Sequence, residues 1–583
     1  MGCSHSICIT AQAGGGGQVG RPMSIGNNGG GSRNLGRNML RSLKASEGSR
    51  FYDIYELYPG KLGEAAMGCV VRAAKKKRTG EMFAVKTFTV TNGPSKAAQR
   101  RILATLRNEI DLLTSLDHPN IIRAYESYEI GKDLHLVMEL CRGGDLNKRT
   151  YTEAQAADVV RMVLSAIMHA HQKGIIHRDL KFENILWESD APDAHIKLID
   201  FGMSARFQEG MHLTDRVGSV YTMAPEVLEG NYTKKADLWS IGCITFHLIA
   251  GEPPFECEDE IETMKRLLGV KYFWPRGKKV SSEAKEFVYN LLKYDPRRRW
   301  TVEQAIASSW LRRSELGQRS GSEALAPPST SPPLDPHALQ PSKPSNPAMG
   351  TKVDEPFDEL PPVEEQPSLE NRMLSSMRSY RSYGALRRVA LMVVAYHQSP
   401  DKLTLLRNEF VEFDTEKNGE ISQKEMQKAL ESRGVAQEEI EELFKSLDVN
   451  GSGNICYLEF LAATIEAVGA ADEVNENQEE RLLHAFERLD TDGSGFITVA
   501  NLKELMGPTF DEAMIRETIQ EADFLKDGRV GWKEFLVLMR DRQDAGTGLA
   551  VGAVDGVDAV EEKRQALHSR GRELRVLYFF LFF

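Results

Sequence analysis

From Tyr55 to Lys86 apolar and polar positions alternate. That is the period of strands with one face on a core, and it predicts a β-meander. A helical pattern follows in RNEIDLL, which carries Glu109. LHLVMELCRGGDL reads as a buried strand, with Met138 near its end, running into a connecting segment. DLWSIGCITFHLIAG is apolar on most faces, so it is predicted as a buried helical pillar with Asp237 at its head. Leu386, Val389, Ala390, Val393 and Val394 fall at i, i+3, i+4, i+7 and i+8, the stripe of an amphipathic helix. Arg378, Arg381, Arg387 and Arg388 cluster at its head. Between 401 and 540, helical patterns flank four loops at near-even spacing.

Spans without periodicity divide these segments. Residues 1–50 read as a disordered extension, within which 11–48 are rich in Gly, Ser, Asn and Arg and form a flexible linker whose basic residues can touch anionic lipid. Residues 314–368 carry Pro-Pro pairs, serines and acids, a composition that cannot build a core. The predicted order is therefore 1–50, a first domain 51–313, a linker 314–368, a junction helix 369–400, a second domain 401–540 and a low-complexity tail 541–583. The tail ends in RVLYFFLFF, too short to span a bilayer but able to dip into a membrane or dock in a groove.

Composition narrows the class. A chain of 583 residues with 41% hydrophobic content is expected to hold several packed domains. Its net charge of −11 gives no reason to expect nucleic-acid binding. The seven cysteines have no paired spacing, which suits a reducing, cytosolic compartment and no zinc site. No run reaches about 18 apolar residues, so no membrane-spanning helix is expected. The opening MGCSHS lacks the apolar core of a secretory signal. Gly2 with Ser6 fits the myristoylation pattern, and Cys3 is placed for palmitate. Two acyl chains make stable anchoring where one is marginal. The chain is thus expected to be cytoplasmic and peripherally attached to a membrane.

The chemistry concentrates in HRDLKFEN, His177–Asn184, followed by Asp200-Phe201-Gly202. Phosphoryl transfer requires positioning and charge neutralisation around a loose, anionic group. Asp179 is placed to orient and deprotonate an acceptor hydroxyl, and Lys181 to balance charge beside the phosphate. Asn184 and Asp200 offer hard oxygen ligands to Mg2+. Upstream, LGEAAMGCV approximates a glycine-rich phosphate loop: Leu62, Gly63, Gly68 and Val70 fit, and Ala65 replaces the middle glycine. FAVK supplies Ala84 and Lys86, with Glu109 as the natural ion-pair partner of Lys86. Met138, Glu139 and Cys141 line the expected adenine side. Asp145 suits either ribose or a helix N-cap. The stretch from Leu146 to Glu153 is short for a further helix. Thr214, Ser219 and Thr222 are candidate phosphorylation sites facing Arg178. Glu226 is expected to pair with Arg299.

The four later loops match the twelve-residue calcium pattern to different degrees. Loop 414–425 offers Asp414, Glu416, Asn418, Glu420 and Glu425 around Gly419. Loop 448–459 offers Asp448, Asn450, Ser452, Asn454 and Glu459 around Gly453. Both are expected to bind Ca2+. Loop 490–501 has Asp490, Asp492, Ser494 and Phe496 but ends in Asn501, which cannot bind bidentately. Loop 523–534 has Asp523, Asp527, Arg529 and Glu534, with Leu525 at a ligand position. The third is expected to be weak, and the fourth weak or empty and kept to pair with the third.

Taken together, residues 55–313 resemble a Ser/Thr protein kinase, and DLK-x-EN, with Lys181 and Glu183, is the serine/threonine flavour. The whole chain resembles the calcium-dependent protein kinases, which join such a kinase through a junction to a calmodulin-like domain. The resemblance implies an α+β bilobal protein kinase domain followed by an all-α calmodulin-like domain with two pairs of EF-hands. It implies ATP, Mg2+ and Ca2+ as cofactors, and the catalytic set Lys86, Glu109, Asp179, Lys181, Asn184 and Asp200. A basic amphipathic junction is the usual ligand of a calmodulin-like groove; the plainer alternative is a helix facing the core of the following domain. Protein substrates, a monomeric state and restraint of the kinase by the junction are further expectations. The rivals are a calcium-sensing membrane scaffold with weak or no kinase activity, and a constitutive kinase with structural magnesium in its EF-hands.

Overall fold

The computed structural model describes residues 50–65, 69–89, 107, 109–130, 133–255, 257, 259–312, 368–398, 400–469, 477–506 and 512–540. Gly2, Cys3, Gly68, most of the 314–368 linker and the tail from 541 lie outside that set, as does the side chain of Ala65.

The predicted meander forms β1 (Tyr55–Ala65), β2 (Cys69–Lys76) and β3 (Met82–Thr89). With β4 (Ala124–Ile130) and β5 (Asp133–Met138) they build one antiparallel sheet in the order β1-β2-β3-β5-β4. Lys86 sits on β3 opposite Val71 of β2 and Leu136 of β5, in the middle of the sheet.

The second lobe is helical. Its first long helix, Glu153–Gln172, starts at a capping box in which Thr152 and Gln155 satisfy each other's backbone N–H groups. Helix Lys235–Ala250 is buried along almost its whole length, as expected of an element apolar on most faces. The short stretch after Asp145 closes as a single 3-10 turn, Leu146–Lys148. Tyr151 donates to the carbonyl of Leu146 at 2.7 Å and accepts from the Trp187 indole at 3.1 Å, so the chain reaches the next helix without a further one.

The junction forms two helices, Leu369–Ser382 and Ala385–Tyr396, broken at Tyr383-Gly384. Leu386, Val389, Ala390 and Val393 are buried in one core with the EF-hand residues Phe444, Phe460, Leu461 and Phe486. The arginines meet acids of the same region: Arg378 with Glu439 at 2.6 Å, Arg381 with Glu442 at 2.7 Å and Arg387 with Glu466 at 3.6 Å. The groove-ligand and core-facing readings therefore describe one arrangement. Short strands Glu420–Ser422 and Asn454–Cys456 pair the first two loops, and Phe496–Ile497 with Val530–Gly531 pair the last two. Among the described residues no helix is long and apolar enough to cross a membrane.

The EF-hand region lies against the kinase lobes. The Tyr396 hydroxyl donates to the carbonyl of Ala124, and Arg123 donates to the carbonyl of Tyr396 at 3.2 Å. Arg407 pairs with Glu188, and Arg488 with Glu126.

Candidate functional site

The loop between helix Glu153–Gln172 and strand Ile185–Trp187 delivers the catalytic candidates. Its backbone is gripped from below by Asp237, in the first turn of the buried helix. Asp237 accepts from the N–H of His177 at 3.0 Å, the N–H of Arg178 at 2.9 Å and the ring of His171 at 2.8 Å. Burial would push this carboxyl up, but those hydrogen bonds hold it below the usual carboxylate range. Arg178 adopts a left-handed backbone, φ 71°, which the grip on its own N–H supports.

Asp179 is buried within a closed hydrogen-bond set. Its Oδ1 accepts from the Ser219 hydroxyl at 2.8 Å. Its Oδ2 lies 3.1 Å from both the Lys181 ammonium and Asn184 Nδ2. Lys181 also donates to Ser219 Oγ at 2.9 Å. Across the cleft, Lys86 Nζ lies 2.7 Å from Glu109 and 2.9 Å from Asp200. Burial opposes the lysine's charge, but the Asp200 and Glu109 carboxylates outweigh it and raise its pKa. Burial likewise opposes ionisation of Asp200, and Lys86 holds it low instead. The sequence-predicted set thus converges on one cleft between the lobes.

The activation segment departs from the sequence reading. Ser219 and Thr222 are each only 3% exposed, and Ser219 is spent on Asp179 and Lys181. The Thr222 hydroxyl donates to the carbonyl of Ser219 at 3.4 Å, whereas Thr214, the third candidate, is exposed. Arg178, expected to receive a phosphate, instead lies 3.1 Å from the carboxylate of Asp215 and 3.1 Å from the Tyr232 hydroxyl. Glu226 and Arg299 form the expected pair, bidentate at 2.5 and 3.0 Å, and Arg299 is buried.

On the expected nucleotide side, Leu62 is exposed, Gly63 has open space where a Cβ would sit, and Val70 and Cys141 are half-buried. Ala84 and Met138 are buried and face each other across β3 and β5. The Glu139 side chain turns inward, pairing with Lys197 at 3.0 Å and accepting from the N–H of Arg123 at 2.9 Å, while its own N–H donates to the Arg123 carbonyl at 3.0 Å. Asp145 takes the N-cap alternative, accepting from the N–H of Asn147 at 2.9 Å.

The first two calcium loops suit a cation. Asp414 accepts from the N–H groups of Asn418 at 3.0 Å and Gly419 at 2.8 Å, and Asp448 does the same with Ser452 and Gly453 at 2.9 Å each. The last glutamate folds back over each loop. Glu425 accepts from the N–H of Glu416 at 2.8 Å, and Glu459 from that of Asn450 at 3.0 Å. Burial pushes Asp414 and Glu459 each up to about 7, against the pull of the backbone N–H groups they accept from. Among the described residues no three His, Cys, Asp or Glu side chains already converge on a ready cage; the acids rest on backbone N–H groups.

The last two loops fold alike with different chemistry. Asn501 is buried and its oxygen accepts from Thr498, N–H at 2.8 Å and hydroxyl at 2.6 Å. In loop 523–534 Leu525 is 76% exposed. Arg529 pairs with the ligand-position acid Asp527 at 2.9 Å and stacks on Phe496 at 3.6 Å. The sequence pointed to Leu525 alone; the cation already on Asp527 is a second reason for weakness.

Comparison with known proteins agrees with this geometry. Residues 58–311 match the protein kinase domain, and 404–465 and 479–540 each match an EF-hand domain pair. The chain is 32% identical to calcium-dependent protein kinase 19 of Arabidopsis thaliana, over 85% of this chain and 82% of that protein. It is 33% identical to calcium-dependent protein kinase 9 of rice (Oryza sativa subsp. japonica), over 85% and 78%. With calcium-dependent protein kinase 2 of Zea mays it shares 32% identity over 85% and 88%. With a kinase cleft and paired EF-hands on one polypeptide, and relatives matched across both, the chain belongs to the calcium-dependent protein kinase family.

Proposed function

We propose that this protein is a calcium-activated serine/threonine kinase that moves the γ-phosphoryl group of ATP to hydroxyls of protein substrates. The observation that carries the reading is the buried set Asp179–Ser219–Lys181–Asn184 together with Lys86–Glu109–Asp200, on one chain with two calcium-pattern loops whose Asp414 and Glu459 are buried.

Asp179 accepts the proton of the attacking hydroxyl and holds that oxygen in line. Lys181 and Ser219 fix the Asp179 carboxylate and place a positive charge beside the transferred group. Lys86, locked by Glu109, neutralises the non-transferred phosphates. Asn184 and Asp200 would hold Mg2+, which supplies further charge neutralisation when bound. The hard oxygen donors of both residues fit it. Asp215 meets Arg178 at 3.1 Å, an ion pair that helps to hold the segment against the catalytic loop.

The EF-hands supply the switch. Ca2+ suits Asp414, Glu416, Asn418, Glu425, Asp448, Asn450, Ser452 and Glu459, together with the backbone carbonyls of Glu420 and Asn454. In the restrained state the junction helices occupy the kinase; calcium opens the EF lobes, which capture the same apolar stripe. The burial of Leu386, Val389 and Val393 among EF-hand helices supports the captured, released form. Transfer to a basic serine peptide tests the reading. Activity that climbs from an EGTA baseline as free calcium rises supports it, and equal rates overturn it.

Gly2 and Cys3 take myristate and palmitate and hold the kinase at a membrane surface. Gly2→Ala moves the full-length protein from the membrane to the soluble fraction on fractionation; an unchanged partition contradicts the anchor.

A further inference from the structure

Lys173 ends the helix Glu153–Gln172 and begins the turn that leads through Gly174, Ile175 and Ile176 into His177-Arg178-Asp179. Its ammonium does not point to solvent. It lies 2.6 Å from the carboxylate of Glu420, with both side chains largely buried. The other carboxylate oxygen of Glu420 accepts from Asn454 Nδ2 at 3.0 Å.

Glu420 and Asn454 occupy the seventh position of the first and second calcium loops. That position offers its backbone carbonyl to the ion and leaves the side chain free for other work. Here the side chains form a chain of contacts, Asn454 to Glu420 to Lys173, from both loops to the head of the catalytic segment. The seat around it is close. A Cβ added at Gly419 would lie 2.3 Å from His118 Cδ2 and 3.1 Å from His169 Nδ1, so the first loop rests directly on the kinase. The second loop is held as well, because the N–H of Leu458 donates to Asp117 at 2.7 Å.

We propose that Glu420 is a positioning residue for catalysis: through Lys173 it ties the first calcium loop pair to the turn that delivers Asp179. This link does not pass through the junction helices. It rests on the reading that loops 414–425 and 448–459 bind calcium and govern activity. The docked form is the one in which the EF lobes hold the junction, so calcium and this ion pair favour the same state. Linkage then requires that losing the pair weakens calcium binding and that calcium strengthens the pair.

The test uses the full-length chain with Lys173→Glu, Glu420→Lys and the two reversals combined. Calcium binding is followed by calorimetry, and kcat and KM by peptide phosphorylation. Each single reversal moves the calcium midpoint upward by about fivefold or more. Each also lowers kcat while KM for ATP stays within about twofold, since Lys86 and its partners are untouched. The combined reversal restores both quantities toward those of the unsubstituted protein. If charge reversal unfolds the interface, Lys173→Met and Glu420→Gln keep the size of each side chain and show the same direction of change. Single variants that match the unsubstituted protein in calcium midpoint and kcat, or a combined reversal that fails to rescue folded single variants, overturn the proposal. If the unsubstituted protein still responds to calcium in that case, only the Glu420 link falls; if it does not respond, the calcium reading itself falls.

Discussion

Asp179→Asn lowers the rate of phosphoryl transfer by orders of magnitude while leaving the fold and calcium binding in place. The carboxylate has two jobs in the cleft. Removing the general base lowers kcat by about 10²–10⁴-fold. The second loss is local and geometric. Oδ1 accepts from Ser219, and Oδ2 faces both Lys181 and Asn184 Nδ2. An asparagine amide must present its NH2 to one of these sides, where donors already point, so donor meets donor. Lys181 and Ser219 then lose their anchor. Kinetics with a serine peptide and calorimetry with calcium separate the effects. A variant that keeps more than about a tenth of the native kcat contradicts the role of Asp179. One that loses calcium binding as well has lost its fold rather than its base.

Glu425→Gln combined with Glu459→Gln raises the calcium needed for half-maximal activity by about tenfold or more, since ligand charge sets EF-hand affinity over decades. Each glutamate now folds its two oxygens onto N–H groups of its own loop. Glu425 takes Glu416 and Ser422, and Glu459 takes Asn450 and Cys456. Glutamine keeps the shape, removes the charge and turns one acceptor into a donor against those N–H groups. The matching change at Glu534 has little effect, because Arg529 already neutralises Asp527 and Leu525 fills a ligand position. An unshifted activation curve for the double variant contradicts the assignment of the first two loops.

Much of the site was legible because its chemistry fixes residue types at short spacings. HRDLKFEN and Asp200-Phe201-Gly202 name the cleft before any fold is known, and Lys86 with Glu109 and Glu226 with Arg299 meet as expected. What escaped was set by distant or shared contacts. Asp237 reads as the polar head of an apolar helix; its three hydrogen bonds to the catalytic region become visible only when that helix lies beneath the loop. Ser219 reads as an exposed acceptor because serine in a loop usually is one; burial beside Asp179 reverses that. The break at Tyr383-Gly384 is hidden by an apolar stripe that continues on its far side. Lys173 and Glu420 are 247 positions apart, beyond the reach of any periodicity, and Glu420 reads from the sequence only as part of a calcium loop.

In the proposed function, ion binding to the first EF-hand pair sets whether the cleft can work. Its most direct test follows one preparation of the full-length protein through a calcium titration, recording bound calcium by calorimetry and phosphorylation of a serine peptide at each point. The expected result is a low rate in EGTA and a rise whose half-point coincides with filling of loops 414–425 and 448–459. A rate already maximal in EGTA, or one that stays flat while those loops fill, would contradict it.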